Sequence, residues 1–68
     1  MIANGLRSAR LRAHMTQVEV AERLGIKQSS VSQWEQGRFQ PKVRLLPALA
    51  DLYNCTIDEL FEEGRENP

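Results

Sequence analysis

Two short segments with helical periodicity, joined by a link of three residues that begins with a glycine, constrain this chain most. The first opens at Thr16-Gln-Val-Glu19, a capping box in which each side chain satisfies the other residue's backbone N–H. It ends at Gly25, since glycine favours the left-handed conformation found after helices. The second runs from Gln28 to Gln36 and is followed by Gly37. So short a link makes two amphipathic helices cross steeply, which is typical of a helix-turn-helix.

Three further helical segments complete an all-α prediction, because the sequence has no alternating run of β-branched or aromatic residues. They cover roughly residues 2–13, 43–53 and 56–62. His14 and Asn54 stand where the first and fourth helices end, and both residue types tolerate the left-handed conformation. Pro47 lies close enough to the start of the fourth helix to be tolerated. Thr56-Ile-Asp-Glu59 forms a second capping box, which opens the last helix.

A chain of 68 residues with 41% hydrophobic residues predicts one globular domain, assigned to residues 1–64 with a frayed tail at 65–68. No apolar run is long enough to span a bilayer, and no signal peptide is recognisable at the start. The single cysteine, Cys55, cannot form an internal disulfide, which favours a reducing cytoplasm. A ligand-sensing region does not fit within this length, so no small-molecule ligand is expected in the domain.

The sequence offers no set of catalytic or metal-binding residues. It has no Ser/His/Asp or Cys/His arrangement and no phosphate-cradling glycine loop, so neither enzymatic activity nor a cofactor is predicted. His14 and Cys55 are the only residues of their types and are interpreted as structural rather than as metal ligands. Trp34 is interpreted as a core residue from its spacing to Val31. Glu62-Glu63 is interpreted as a solvated helix end rather than as an acidic motif for a partner.

The formal net charge is zero, but the charges are unevenly distributed. Residues 1–44 carry eight Lys and Arg against three Glu, whereas residues 45–68 carry one Arg against six acidic residues. This asymmetry is consistent with an anion-binding face and a separate acidic end, and equally with a solvated dipolar domain. Charge alone does not decide between the two.

The predicted third helix has an outward face without charge. At about 100° per residue, one face collects five amide and hydroxyl side chains. They are Gln28, Ser29, Ser32, Gln33 and Gln36. Such groups both donate and accept hydrogen bonds, as the base edges of the DNA major groove require, and Gln can bond adenine at two places. The alternative is a solvated polar face that happens to lack charges.

Basic residues surround this helix and are candidates for phosphate contacts. Lys27 precedes the helix, Arg38 follows it, and Lys42 and Arg44 lie on the next segment. The N-terminus of a helix itself favours an anion. Phosphate contacts would then position the protein, while the uncharged face would specify the DNA sequence.

Together these segments resemble the DNA-binding domains of phage repressor/Cro-type regulators, the XRE-like family. The resemblance spans residues 6–61 and rests on an ordered set of motifs. They are Leu6 with Arg10, Met15-Thr-Gln-Val-Glu-Val-Ala-Glu-Arg-Leu-Gly25, Ser29-Ser-Val-Ser-Gln-Trp-Glu-Gln-Gly37, Pro41, Leu49-Ala50, Tyr53 and Ile57-Asp-Glu-Leu-Phe61. The resemblance implies a compact five-helix, lambda-repressor-like domain whose helices 2 and 3 form the helix-turn-helix. Helix 3 would enter the major groove.

The resemblance also implies roles for individual residues of helices 2 and 3. Gln28, Ser29 and Gln33 match base-contacting positions. Ser32 faces the groove beside them, and Gln36 faces its wall towards the DNA backbone. Gln17 matches a position that bonds a phosphate and braces the first residue of the recognition helix.

Arg10 and Glu35 match a pair that meets between the first and third helices of the family. The role favoured for this pair is structural, because removing one member of a buried pair strands the other charge. The alternative is that Arg10 also contacts a DNA phosphate. Two positions depart from the family pattern. Lys27 stands where Ser or Thr commonly caps the third helix, and His14 stands where glycine commonly follows the first.

The function implied is that of a sequence-specific, double-stranded DNA-binding transcription regulator. We expect a homodimeric repressor on a palindromic operator, bacterial or phage-encoded and associated with the nucleoid in the cytoplasm, with Leu60 and Phe61 as candidate dimer contacts. One alternative is an antitoxin that represses its own gene, which an adjacent toxin gene would indicate. Another is a protein-binding adaptor, for which sequence-blind and weak DNA binding would be diagnostic.

Overall fold

The computed structural model describes residues 5–61, and within this range it contains four α-helices, two 3₁₀-helices and no β-strand. The α-helices are α1 (Leu6–Arg12), α2 (Gln17–Leu24), α3 (Gln28–Glu35) and α4 (Leu46–Leu52), and the 3₁₀-helices are Val43–Leu45 and Asp58–Phe61. The all-α prediction is confirmed, with α2 and α3 joined by the short link. Predictions for residues 2–4, Glu62-Glu63 and the tail at 65–68 lie outside the described residues.

The fourth helix differs from the prediction of one continuous helix over residues 43–53. Pro47 has no backbone N–H, so it cannot bond the carbonyl four residues earlier. The preceding turn closes as a 3₁₀-helix instead, in which the Leu45 N–H donates to the Lys42 carbonyl at 2.8 Å. The α-helix begins only at Leu46, which places Pro47 in its first turn, where the missing N–H costs no intrahelical bond.

The last predicted helix is a 3₁₀-helix, so the expected count of five α-helices is not confirmed. Its predicted capping box is present: the Thr56 hydroxyl accepts from the Glu59 N–H at 3.2 Å, and the Glu59 carboxylate accepts from the Thr56 N–H at 2.8 Å. The backbone hydrogen bonds of this segment join each N–H to the carbonyl three residues earlier, which is the pattern of a 3₁₀-helix and is common in short helical segments. The Leu60 carbonyl accepts from the Gly5 N–H at 2.8 Å, which ties this segment to the start of α1.

Every α-helix is followed by a residue with positive φ. These residues are His14, Gly25, Gly37 and Asn54, with φ of 59°, 69°, 79° and 57°. The N–H after each one donates to a carbonyl five residues back, as Ile26 does to Ala21 at 3.0 Å, which is the Schellman motif. A Cβ added at Gly25 or Gly37 would meet no atom within 4 Å, so glycine is needed there for its backbone freedom alone.

The core lies where the four α-helices and the last 3₁₀-helix meet. Its buried apolar side chains are Leu6, Ala9, Val20, Ala21, Val31, Trp34, Leu49, Ala50, Tyr53 and Leu60. The predicted inward side of the helix-turn-helix is confirmed, because Val31 and Trp34 are buried and Leu24 and Ile26 pack against the same cluster. Leu60 is fully buried within the chain, so its side chain is not available to a second subunit.

An ion pair between Arg10 and Glu35 lies at the edge of this core. Arg10 donates from Nε to Glu35 Oε2 at 2.6 Å and from Nη2 to Oε1 at 3.0 Å. Its remaining nitrogen, Nη1, donates to the Met15 carbonyl at 2.8 Å. The two side chains are only 9% and 4% exposed. The bond to Glu35 raises the pKa of Arg10 and outweighs burial, which lowers it. Two parallel charge-assisted bonds thus join α1 to α3.

We expect Arg10→Met to lower the free energy of unfolding by about 3–5 kcal/mol, because it leaves the Glu35 carboxylate buried without its cation. Urea denaturation followed by circular dichroism at fixed pH measures the change. Arg12→Met, at an exposed position of the same helix, is the matched control and should alter stability by less than about 0.5 kcal/mol. Equal effects of the two substitutions would contradict a stabilising role of the pair.

Tyr53 contributes a buried hydroxyl that has no hydrogen-bond partner among residues 5–61. Burial, and secondarily the negative charge of Glu35, raises the pKa of this phenol above its ordinary range. The folded state therefore holds the proton more tightly than the unfolded chain does. The unfolded chain releases this proton at the ordinary tyrosine pKa of about 10. The stability contributed by the protonated phenol is therefore fully present below that pH and is lost as the pH rises above it.

We expect Tyr53→Phe to be neutral or stabilising by up to about 1 kcal/mol at neutral pH, because it removes a buried hydroxyl that makes no bond. The variant should also lose less stability than the wild type above a pH of about 10. Thermal unfolding of both proteins at a series of pH values measures the two effects. A variant with the same alkaline loss as the wild type would show that Tyr53 is not the responsible group.

Candidate nucleic-acid interface

One side of α3 packs against the core and the other faces solvent. Val31 and Trp34 occupy the buried side. On the outer side Gln28, Ser29 and Gln36 are exposed, whereas Ser32 and Gln33 are half-buried. The helical geometry thus places all five amide and hydroxyl side chains on the outer side, with those of Gln28 and Ser29 exposed at the start of the helix.

The charged residue of α3 does not contribute to this outer face. Glu35 is the one acidic or basic residue in the helix, and its side chain is 4% exposed and paired with Arg10. The amides and hydroxyls outside can therefore be desolvated without removing a charge from water.

Gln28 is connected to the buried ion pair through Gln17 of α2. Gln28 Nε2 donates to Gln17 Oε1 at 3.2 Å, and Gln17 Nε2 donates to Glu35 Oε1 at 3.0 Å. Gln17 is half-buried, so it lies between the interior of the domain and its surface. The first residue of α3 is thus supported by a side chain from α2, as the family resemblance implies.

Gln36 and Ser32 form a second side-chain contact on the outer face. Gln36 Nε2 donates to Ser32 Oγ at 2.8 Å, one helical turn earlier. The bond restrains Gln36 at the end of α3, and the second N–H and the oxygen of its carboxamide remain able to form other hydrogen bonds.

The start of α3 combines a lysine with an uncapped helix end. Lys27 has an extended backbone and makes no side-chain capping bond, and the first turn of α3 contains no acidic residue. The partial positive charge of the helix N-terminus and the exposed Lys27 ammonium therefore lie close together. Such an arrangement attracts an anion, and phosphate is the typical one.

Three more basic residues follow α3, and two of them lie beside it. Lys42 and Arg44 are exposed and line a surface cavity of about 440 Å³ together with Ser30 and Trp34 of α3. Arg38 is also exposed but does not line this cavity. The basic residues thus surround α3 without belonging to it.

Two apolar side chains near these basic residues were not predicted to be exposed at the surface. Phe39 is 60% exposed and Val43 is 80% exposed. The sequence carried a signal for Phe39, since an aromatic residue stands between Arg38 and Gln40 in a loop bounded by Gly37 and Pro41. Val43 gave no such signal, because it fits the apolar spacing of a continuous fourth helix.

Neither a metal-binding group nor a membrane span is found within the described range. Between residues 5 and 61 no three His, Cys, Asp or Glu side chains are gathered so that they could hold a metal ion. None of the helices in that range has the length and apolar character needed to cross a bilayer. Cys55 is a half-buried free thiol, and burial raises its pKa.

The chain is similar to several transcription regulators. An uncharacterized HTH-type transcriptional regulator of Archaeoglobus fulgidus is 32% identical over 56 residues, which are 82% of this chain and 80% of that protein. The HTH-type transcriptional activator BcrR of Enterococcus faecalis is 33% identical over 56 residues, 82% of this chain but 28% of BcrR. The cryptic phage CTXphi transcriptional repressor RstR of Vibrio cholerae is 28% identical over 67 residues, 98% of this chain and 60% of RstR.

The family model described as helix-turn-helix matches residues 6–60. The match thus includes α2 and α3 together with the flanking helices that bury their inner sides. Sequence similarity and architecture lead to the same assignment. The chain belongs to the XRE-type helix-turn-helix family of transcription regulators.

Proposed function

We propose that this protein is a sequence-specific repressor that binds double-stranded DNA as a homodimer on a palindromic operator. The observation that supports this most directly is the uncharged outer face of α3, with Gln28 and Ser29 exposed at its start and basic residues around it. α3 enters the major groove, where amides and hydroxyls match the mixed donors and acceptors of the base edges. Gln33 and Ser32 contact bases further along the groove.

Gln28 keeps the groups it needs for an adenine while it is held by Gln17. One N–H of its carboxamide is used in the bond to Gln17, which leaves the second N–H and the oxygen. A donor and an acceptor on one amide can bond adenine N7 and N6 together. Gln28 is therefore the side chain expected to specify a base most strongly.

Contacts to the DNA backbone are assigned to residues around α3. Lys27, Arg38, Lys42 and Arg44 supply positive charge, and Gln17 and Gln36 supply amide groups. Such contacts fix the orientation of the protein on the duplex and contribute affinity for any sequence. They also make binding sensitive to salt.

Repression is proposed because the similarity to RstR, named a transcriptional repressor, extends over 98% of this chain. A homodimer would place two copies of α3 in successive major grooves, about 34 Å apart, on a two-fold-symmetric site. Occupancy of such a site blocks transcription. The protein would act in the cytoplasm, at the nucleoid.

The proposed base contact of Gln28 is tested by selecting binding sites from random duplexes with the wild type and with the Gln28→Ala variant. We expect a two-fold-symmetric consensus in the wild type, and a loss of about 1–3 kcal/mol of discrimination at one base position per half-site in the variant. Ser30→Ala, on the same helix but beside the cavity, should retain the consensus. Enrichment of no sequence by the wild type at low salt would reject the proposal and favour a protein-binding adaptor.

The substitution Arg38→Gln tests whether Arg38 contacts a DNA phosphate. We expect it to weaken binding to all sequences alike and to reduce the slope of log K against log salt by about one phosphate contact. Arg38→Lys keeps the charge and should keep the slope. Titrations of a specific and a scrambled duplex at several salt concentrations measure both. A change in sequence preference with an unaltered slope would assign Arg38 to base contact instead.

A further inference from the structure

The carboxamide of Gln17 has its orientation fixed by Glu35. Gln17 Nε2 lies 3.0 Å from Glu35 Oε1, and Gln17 Oε1 lies 3.2 Å from Gln28 Nε2. An ionised carboxylate can only accept hydrogen bonds. Turning the Gln17 amide around would bring its oxygen against the Glu35 carboxylate. One N–H of Gln17 must therefore be directed at Glu35 and its oxygen at Gln28, while its second N–H remains able to donate to a DNA phosphate.

Glu35 is itself held by groups that define its position. Arg10 contacts both of its oxygens, at 2.6 and 3.0 Å, and Arg10 is fixed in turn by the Met15 carbonyl at 2.8 Å. A guanidinium is permanently charged and bonds a carboxylate in a planar, two-point geometry. With side chains 9% and 4% exposed, the pair has little freedom to rearrange.

We infer that Glu35 is a specificity-determining positioning residue, which acts through Gln17 to fix the direction in which Gln28 presents its carboxamide to DNA. The inference rests on the proposed DNA-binding function. The Gln17 oxygen can only accept a hydrogen bond, so Gln28 must turn its NH₂ group, and not its oxygen, towards Gln17. The oxygen of Gln28 and one N–H then face the groove in a single arrangement. A freely turning amide would present them in either order and accept more than one base.

Gln33 provides an internal comparison on the same helix. Its side chain makes no hydrogen bond to another residue of the described range, so nothing there connects it to Glu35. A loss of the Glu35 carboxylate should therefore affect the base position contacted by Gln28 and leave the position contacted by Gln33 unchanged.

The test uses Glu35→Gln, which keeps the shape of the side chain but can face Gln17 with either its oxygen or its NH₂ group. Because this change strands the Arg10 charge, the double variant Arg10→Met/Glu35→Gln is made in parallel to keep a folded protein. Arg10→Lys is the control, since it weakens the pair but preserves the charge beside Glu35. Thermal unfolding of each variant separates loss of stability from loss of specificity.

The first measurement needs no DNA. Side-chain ¹⁵N relaxation should show the Gln17 and Gln28 amides restrained in the wild type and in Arg10→Lys. In the variants that lack the Glu35 carboxylate, the Gln28 amide should become as mobile as that of Gln33. An equally restrained Gln28 amide in those variants would overturn the inference.

The second measurement is site selection from random duplexes. Discrimination at the position identified by Gln28→Ala should fall by about three- to tenfold in both variants that lack the carboxylate, and stay unchanged at the Gln33 position. Arg10→Lys should lose stability and keep its preference. The inference would be overturned if Arg10→Lys lost as much sequence preference as the variants without the carboxylate, or if Glu35→Gln kept the wild-type preference. If the wild type showed no sequence preference, the proposed function would be rejected. The side-chain ¹⁵N measurements would then still decide whether Glu35 orients Gln28.

Discussion

The buried pair of Arg10 and Glu35 is the interaction on which the rest of the structure depends. Helices of seven or eight residues are unstable alone in water, so α1, α2 and α3 persist through the contacts between them. The Glu35 carboxylate bonds a side chain from each of the two other helices, Arg10 from α1 and Gln17 from α2. Burying two charges is costly, and the bonds to Glu35 and to the Met15 carbonyl offset that cost. One carboxylate thereby sets the relative positions of three helices.

Much of this fold could be predicted from the sequence because its helix ends are determined locally. The capping boxes at Thr16 and Thr56 and the left-handed residues after each helix involve partners within about five positions. The choice between α- and 3₁₀-helix could not be predicted in the same way. In one segment it depends on where the missing N–H of Pro47 falls within the helix. The other segment contains Leu60, whose carbonyl accepts from the N–H of Gly5 at the opposite end of the described chain, a contact that local sequence does not reveal.

The candidate site shows the same division between local and distant determinants. Helical periodicity was sufficient to place Gln28 and Gln33 on one face, and the family resemblance supplied the pairing of Arg10 with Glu35. The bond from Gln17 to Glu35 joins residues 18 positions apart, and no spacing rule predicts which of several acceptors a glutamine will choose. The exposure of Val43 was missed for a related reason, since its apolar character fitted a continuous helix that Pro47 interrupts.

Under the proposed function, the arrangement separates the two requirements that DNA places on a recognition helix. A cation on the outer face of α3 would attract phosphates of any sequence and would favour affinity over discrimination. The helix instead has one charge, on Glu35, and that charge is buried and paired. Its influence reaches the surface as the orientation of neutral amides, through Gln17 to Gln28. Positive charge lies on the residues that flank the helix. Under the proposed function, affinity and specificity would therefore reside largely on different side chains, so that substitution could change one property with little effect on the other.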